Sequence, residues 1–464
     1  MNNIEWPKYG PLPLEPNDDQ WQDLVNQVRS FLDQELQQTL QGPASFDFDY
    51  NVVPPGEDLQ EWLKALFASG FNTAHPGFLA YIPGGGLVTS ALADWLVKTT
   101  NRYGTARFAS PNLVALEHQV INTFARWVGY DNHFAGVLTT GGSLANFTAV
   151  VTARRAKLPE NFLDGVLYCS DQTHHSVMKA ANLAGFSARN IHVVDSDEHF
   201  RLDVTALGAA IQEDLQAGLT PFMVVASAGT TNTGAVDPLP EIYHISQQHQ
   251  LWFHVDGAYG GAFVITERGR QRLAGIENAD SITLDPHKSL FLPYGTGSIL
   301  VKDRDALVDA HELRGDYMPD LDREQAHLDP FSLSVELTRE HRGLKIALPL
   351  LLHGEQAFVD ALDEKLDITL WLYEQMQQMP QIELLNKPDL TTFAFRINTE
   401  VDRDQKTRAL MQAINDGKQV FVSGTLLYEE FALRVSILSH RTHQTQLELL
   451  IEAIKRGLAE ILGE

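Results

Sequence analysis

One amine stands out by its setting. Lys288 lies in SITLDPHKSLFLPYGTG (281–297), among apolar Ile282, Leu284, Leu290, Phe291 and Leu292. Lysine is rarely fully buried unless paired. Desolvation disfavours the ammonium form, and an unprotonated amine can form a Schiff base with a carbonyl. The plainer alternative is a lysine that lays its stem on apolar surface and keeps its head in water. A second group, Asp256, ends the apolar run LWFHVD. A carboxylate there is costly to leave unpaired, so it either caps the next turn or meets a cation. Gly141-Gly142-Ser143 follows FAGVLTT and opens a helical pattern. Two glycines let backbone approach a ligand, Ser143 can cap, and a helix start offers free N–H groups. That makes a phosphate cradle or an ordinary strand–turn–helix corner. GGSLAN lacks the Gly-Lys-Ser/Thr ending of a Walker loop.

Other candidates are weaker alone. His174 and His175 open a helix in DQTHHS. Adjacent helical side chains point about 100° apart, so at most one faces a given site. Thr230 and Thr231 lie in the polar turn AGTTNTG, while His440 and His443 have no nearby carboxylate or cysteine to complete a ligand set. No metal site is expected. A phosphate cradle, a strand-end acid, a stacking histidine and a lysine are together what pyridoxal phosphate requires.

The elements that position these groups can be read from periodicity. From Phe134 onward, apolar runs alternate with helical patterns: FAGVLTT, GVLYCS, NIHVV, PFMVVAS and LWFHVD each precede or follow a helix. Such alternation predicts βαβ units and a mostly parallel sheet, and uniformly apolar runs predict strands covered on both faces. Ligands bind at the carboxyl ends of such strands, where the candidate residues fall. After a helical stretch following Glu336, TTFAFRI, QVFVSG and FALRVSIL read as strands and QTQLELLIEAIKRGLAEIL as a last helix. This predicts a smaller α+β domain, with a boundary inside helix between 336 and 375. Helices over about Trp21–Leu40 and Leu59–Ser69 are too few to bury a core, so they are expected to pack elsewhere, for instance on another subunit.

Composition sets limits. The 464 residues are 44% hydrophobic and 20% charged, as in a globular soluble chain. The net charge is −25, from 35 basic and 60 acidic residues, which argues against nucleic acid or an anionic membrane as partner. Cys169 is the only cysteine, so no intrachain disulfide forms. Its apolar run, GVLYCS, marks it as a core residue. With no signal-peptide pattern and no apolar run near the ~20 residues of a membrane span, a cytoplasmic location is expected.

Six segments stand in one order between residues 75 and 288: HPGFLAYIP, TTGGSLAN, YCSDQTHHSVMKAA, AGTTNTGAVDPL, HVDGAYGG and DSITLDPHKSL. ELTREHRGLK and LRVSILSHRT follow. In this combination the chain resembles the group II pyridoxal-phosphate-dependent amino-acid decarboxylases, the aromatic-L-amino-acid decarboxylase-like family. The resemblance implies the α/β fold of PLP-dependent transferases of fold type I. That means an N-terminal helical segment (1–74) packing on the partner subunit, a large PLP-binding domain (75–350) with a mostly parallel seven-stranded sheet, and a small α+β domain (351–464). It implies a homodimer with shared active sites.

Carried over by residue, Lys288 would hold pyridoxal 5'-phosphate as a Schiff base. Asp256 would pair with the pyridine nitrogen, Ala258 would lie under the ring and His174 would stack over it. Gly141, Gly142 and Ser143 would hold the phosphate, helped by Ser281, Asp285 and His287, and Thr230 would contact the ring substituents. Tyr317, in the polar stretch LRGDYMPDLDREQAHLDP, matches the family's proton donor. Tyr81, Ile82, Pro83, Tyr103 and Thr105 fall at substrate-pocket positions.

The resemblance implies decarboxylation of an L-amino acid, with an aromatic substrate expected. The alternatives are an aminotransferase or other carbon–carbon lyase of the same fold, or a non-catalytic relative. Three departures bear on substrate. Ser289 stands where several members carry a large aromatic or methionine. Ile82 and Gly84 stand where aromatic-acid members often have phenylalanine and threonine.

Overall fold

This computed structural model describes residues 17–47, 59–312 and 329–463. Its large sheet contains β1 (Ala135–Thr139), β2 (Gly165–Ser170), β3 (Ile191–Val194), β4 (Thr220–Ser227), β5 (Trp252–Gly257), β6 (Ser281–Leu284) and β7 (Gly297–Val301). The order across the seven strands is β1-β7-β6-β5-β4-β2-β3. β2 pairs parallel with β3 and β4, β4 with β5, and β5 with β6. β7 pairs antiparallel with both β1 and β6. It follows that β1 runs parallel to β6, and β7 alone opposes the rest.

The uniformly apolar strands have a simple cause: both faces are covered. Along β4, Met223 and Val225 enter one core layer while Val224 and Ala226 enter the other. Helix Gly142–Lys157 presents Ala145, Ala149 and Ala153 to the first layer. Their small side chains at four-residue spacing let that helix lie close to the sheet. Helix Pro111–Val128 covers the opposite face with Val120, Phe124 and Trp127. Cys169 is buried in the first layer, under helix Gly142–Lys157, and burial pushes its thiol up to about 12. At that value it is a packing residue, not a nucleophile.

A second sheet has β8 (Ile382–Leu384), β9 (Thr392–Ile397), β10 (Ser423–Leu427) and β11 (Glu430–Ser436), in the order β10-β11-β9-β8. All its pairings are antiparallel. Helix Gln444–Leu462 packs on it through Leu447, Leu450, Ile454 and Leu458. The run QVFVSG differs from its sequence expectation. Strand β10 begins only at Ser423, and Phe421 forms an isolated parallel bridge with Phe78. The reason is a distant segment. Phe421 N donates to Gly77 O, Leu79 N to Phe421 O and Ser436 N to Leu79 O, at 2.8, 2.8 and 2.9 Å. Residues 77–79 therefore lace into the edge of the small sheet before the chain enters the large one.

Helix Glu355–Gln377 joins the two cores. Phe358, Leu362 and Leu366 belong to the large-sheet core, and Ile368, Leu372 and Met376 to the small-sheet core. Near the amino terminus, helices Asp18–Gln41 and Leu59–Phe67 meet through Phe31 and Phe67, whose ring centroids lie 5.7 Å apart. Among the described residues, no helix is long and apolar enough to cross a membrane.

Candidate active site

A cavity of about 440 Å³ opens at the carboxyl ends of β1, β2, β4, β5 and β6. Gly141, Gly142, Ser143, His174, Thr230, Asp256, Ala258, Asp285, His287 and Lys288 all line it. They come from the turns after five different strands, which is why they are dispersed in sequence and joined in space.

The first wall is the β1 turn. Gly141 has φ +153° and, having no side chain, leaves the helix start uncapped. The first intrahelical bonds run from Leu144 N and Ala145 N to Gly141 O, so the Gly142 and Ser143 amides precede the helical ladder. Close packing forbids side chains here. A Cβ on Gly142 would stand 2.9 Å from Asp285 Oδ2, and one on Gly297 would stand 2.5 Å from Gly141 Cα. The result is bare backbone at a helix start, suited to an anion.

Lys288 sits on the short helix Pro286–Ser289, directly after β6. Its Nζ lies 3.2 Å from Asp285 Oδ2, and 23% of its side chain remains accessible. The apolar flanks are buried, yet the amine itself is directed into the cavity and paired with a carboxylate. Asp285 Oδ1 is buried and accepts no hydrogen bond. His287 Nδ1–H donates to Thr296 O at 2.5 Å, and its Nε2 lies 3.6 Å from Asp285 Oδ2. Burial holds the His287 imidazole below its ordinary pKa, with Asp285 opposing. Ser289 turns away from the cavity: its Oγ donates to Tyr259 O and the residue is buried.

Asp256 stands on β5 beside Ser227 of β4 and Thr283 of β6. Its Oδ1 accepts from Ala258 N at 3.1 Å and its Oδ2 from Asn146 Nδ2 at 2.9 Å. His174 caps helix His175–Leu183; its Nδ1 lies 2.8 Å from Ser176 Oγ and accepts from Ser176 N at 3.3 Å. Desolvation lowers the His174 pKa, opposed by Asp256 and reinforced by Lys288. His175, its neighbour, does not line the cavity: His174 is the extended N-cap and His175 the first helical residue, so their side chains diverge. Thr230 is buried, with its hydroxyl 2.9 Å from that of Thr233.

Several expected residues lie elsewhere. Ser281 begins β6, at the strand's amino end, and its fully buried Oγ lies 2.8 Å from both Trp252 Nε1 and His254 Nδ1. It cannot touch a phosphate at the opposite end, which corrects the expectation from its motif. Thr105 is fully buried, its hydroxyl 3.3 Å from Arg339 N, so it forms no pocket wall in this chain. Tyr103 is exposed and donates to Leu337 O at 3.3 Å. Tyr81, Ile82 and Pro83 are not among the residues lining the cavity. Two residues on from Ile82, Gly84 lies so close to His287 that a Cβ would meet its carbonyl oxygen at 1.9 Å. Tyr317 lies outside the described residues. The cavity also contains residues that motif reading passed over: Asn146, Ser176, Ser227, Tyr259 and Tyr294. Asn146 had one usable signal, since it lies four residues after Gly142 and hence on the same helix face.

The chain matches the pyridoxal-dependent decarboxylase conserved domain over residues 52–398. It is 33% identical over 420 residues to an aromatic-L-amino-acid decarboxylase of Bacillus atrophaeus, covering 88% of this chain and 87% of that one. It is 28% identical to an L-2,4-diaminobutyrate decarboxylase of Acinetobacter baumannii, covering 92% and 87%. In fold it superposes on Oryza sativa TDC, solved with PLP and tryptamine, with TM-score 0.91 and 24% identity over 97% of this chain and 99% of that one. The fold and site thus define a fold type I enzyme that uses pyridoxal phosphate. The chain belongs to the pyridoxal-dependent decarboxylase family and is a PLP-dependent carboxy-lyase acting on amino acids. Its own residues fit that cofactor: a glycine-rich anion cradle, a strand-end carboxylate and an amine share one cavity of suitable size.

Proposed function

We propose that this enzyme decarboxylates an aromatic L-amino acid to the amine and carbon dioxide. The observation that carries the reading is the convergence of Lys288, Asp256 and His174 on one cavity behind an open helix start. Bound pyridoxal phosphate supplies a conjugated ring that accepts the electron pair left when carbon dioxide departs.

The protein's residues divide the remaining work. Lys288 Nζ would be the replaceable covalent partner of the cofactor aldehyde, and Asp285, 3.2 Å away, holds the amine in place. The Asp256 carboxylate would accept a hydrogen bond from the ring nitrogen and stabilise its proton. Ala258 and the His174 imidazole, which line the same cavity, would bound the two ring faces. The amides of Gly142 and Ser143 would receive the phosphate, with the Ser143 and His287 side chains beside them, and Thr230 would approach the ring substituents. Holding the substrate carboxylate perpendicular to the ring is a matter of orientation, which rigid walls supply. Tyr317 returns the proton to the carbon that lost carbon dioxide; its place in the motif order supports this role.

An aromatic substrate is supported by the likeness to the aromatic-L-amino-acid decarboxylase of Bacillus atrophaeus; the substrate-pocket candidate Tyr81 belongs to an aromatic cluster outside the cavity lining. The Tyr81 backbone is left-handed, φ +53°; the residue is 54% exposed, with its ring centroid 6.4 Å from that of Phe78 and 5.8 Å from that of Phe71. A non-glycine residue held in that region costs about 1–2 kcal/mol, and such strain collects at functional sites.

A homodimer belongs to the same reading. Helix Val88–Thr100 exposes Val88, Leu92, Trp95 and Leu96, a stripe at helical spacing. A second copy covering it would bring exposed Tyr103 to the neighbouring cavity. The segment 1–74 would then pack on the partner, with 75–350 and 351–464 as the large and small domains. A cytoplasmic location is part of the same proposal.

The test is a substrate panel with the purified enzyme and added pyridoxal phosphate. Carbon dioxide release from phenylalanine, tyrosine or tryptophan, well above that from 2,4-diaminobutyrate or glutamate, supports the reading. The reverse preference removes the aromatic assignment.

A further inference from the structure

Asn146 lies at the centre of a buried hydrogen-bond network linking two groups that the cavity needs. Its Nδ2 lies 2.9 Å from Asp256 Oδ2 and 2.9 Å from Ser176 Oγ. Its Oδ1 lies 2.7 Å from Thr283 Oγ1 and 3.1 Å from His254 Nε2. The amide has only one sensible orientation. A carboxylate only accepts, so the NH₂ must face Asp256. The amide oxygen must then receive hydrogens from Thr283 and His254.

Proton positions follow outward from this choice. His254 carries its proton on Nε2, donated to Asn146. Its Nδ1 is therefore an acceptor, filled by the Ser281 hydroxyl, which in turn accepts from Trp252 Nε1–H. This gives Ser281 a place in the site's architecture, two side chains removed from Asp256. On the other branch, Ser176 Oγ accepts from Asn146 and is left to donate to His174 Nδ1. The Ser176 backbone N–H also points at that nitrogen. His174 Nδ1 thus has two donors facing it and carries no proton. In the neutral ring the proton resides on Nε2, which has no partner among the described residues.

We propose that Asn146 is a positioning residue that sets the tautomer of His174 and the orientation of the Asp256 carboxylate through a single amide. His174 then presents an N–H donor to whatever acceptor oxygen enters the cavity, while Asp256 keeps Oδ1 and Oδ2 fixed by one backbone and one side-chain donor. The consequence for cofactor affinity rests on the reading of Asp256 as the ring-nitrogen partner; the tautomer does not.

Two variants separate these arms. Ser176→Ala removes only the relay to His174, and Asn146→Ala removes both connections. Histidine tautomers are read by long-range ¹⁵N–¹H correlation on ring-labelled protein without cofactor, with His174→Gln assigning the signal. Cofactor affinity is read by reconstitution with pyridoxal phosphate. Wild type should show His174 protonated at Nε2. Ser176→Ala should give a tautomer mixture with affinity changed less than about threefold. Asn146→Ala should give the mixture and weaken affinity roughly tenfold or more, as expected for losing a hydrogen bond to a charged group. A wild-type His174 protonated at Nδ1, or an unchanged tautomer in Ser176→Ala, overturns the proposal even if Asn146→Ala does not fold. A shifted tautomer in Asn146→Ala with unchanged affinity supports the tautomer control and instead removes Asp256 as the cofactor's partner.

Discussion

Lys288 Nζ lies 3.2 Å from Asp285 Oδ2, one helical turn apart, and the other oxygen of that carboxylate is buried without a hydrogen bond. The pair shows how the site keeps a reactive amine in register before the cofactor arrives. Lys288→Ala should fold, because the side chain is partly accessible and contributes no core packing. It should bind pyridoxal phosphate only non-covalently, lose the visible absorbance of the linked cofactor and lose at least roughly a hundredfold in decarboxylation, at the low end of what a positioned catalytic group contributes. Circular dichroism and absorbance spectra check both halves.

Tyr317→Phe should keep the cofactor and lose amine formation, with aldehyde and ammonia appearing under oxygen if the product is diverted. Product analysis by mass spectrometry decides it. Unchanged amine production would take Tyr317 out of the reaction.

The network around Asn146 also predicts a pH dependence. Burial lowers the His254 pKa to about 4 from an ordinary 6.5. Between those values the unfolded chain binds a proton that the folded chain refuses, so stability rises with pH across the window and falls on acidification. The full effect is on the order of 3 kcal/mol. His311 and His440 are depressed as well, to about 4 and about 3, so acid lability will not vanish in a single variant. His254→Gln should flatten the slope of unfolding free energy against pH between 4 and 6.5, measured by urea titration at several pH values. An unaltered slope would mean that His254 is not held neutral.

A separate buried pair governs stability. Arg339 and Glu117 are ion-paired and fully enclosed, with Arg339 Nη1 also donating to Leu138 O at 3.2 Å. Arg339→Ala leaves a buried carboxylate without its cation and should cost about 3–5 kcal/mol. A thermal-unfolding shift of under a degree would show that the carboxylate finds another partner or takes up a proton at no cost.

The sequence carried the catalytic edge well because each key residue directly follows an apolar run. Asp256 ends β5, Gly141 follows β1 and Lys288 follows β6, and strand ends are visible in a one-dimensional pattern. Ser281 was misplaced for the same reason in reverse: it shares a motif with Lys288 but stands at the other end of β6. Asn146 was passed over because it sits one turn inside a helix, where only three-dimensional packing shows what it meets. The strand expected over QVFVSG started late because its partner, residues 77–79, comes from more than three hundred residues earlier, beyond any local pattern. Thr105 reads as a pocket residue by position, yet the backbone at Arg339 occupies its hydroxyl.

The most direct measurement is borohydride reduction of the enzyme reconstituted with pyridoxal phosphate, followed by peptide mass mapping. The account predicts one pyridoxyl group, on Lys288, which is lost from that lysine when an aromatic L-amino acid is present before reduction. A label on another lysine, or none at all with cofactor bound, would contradict it.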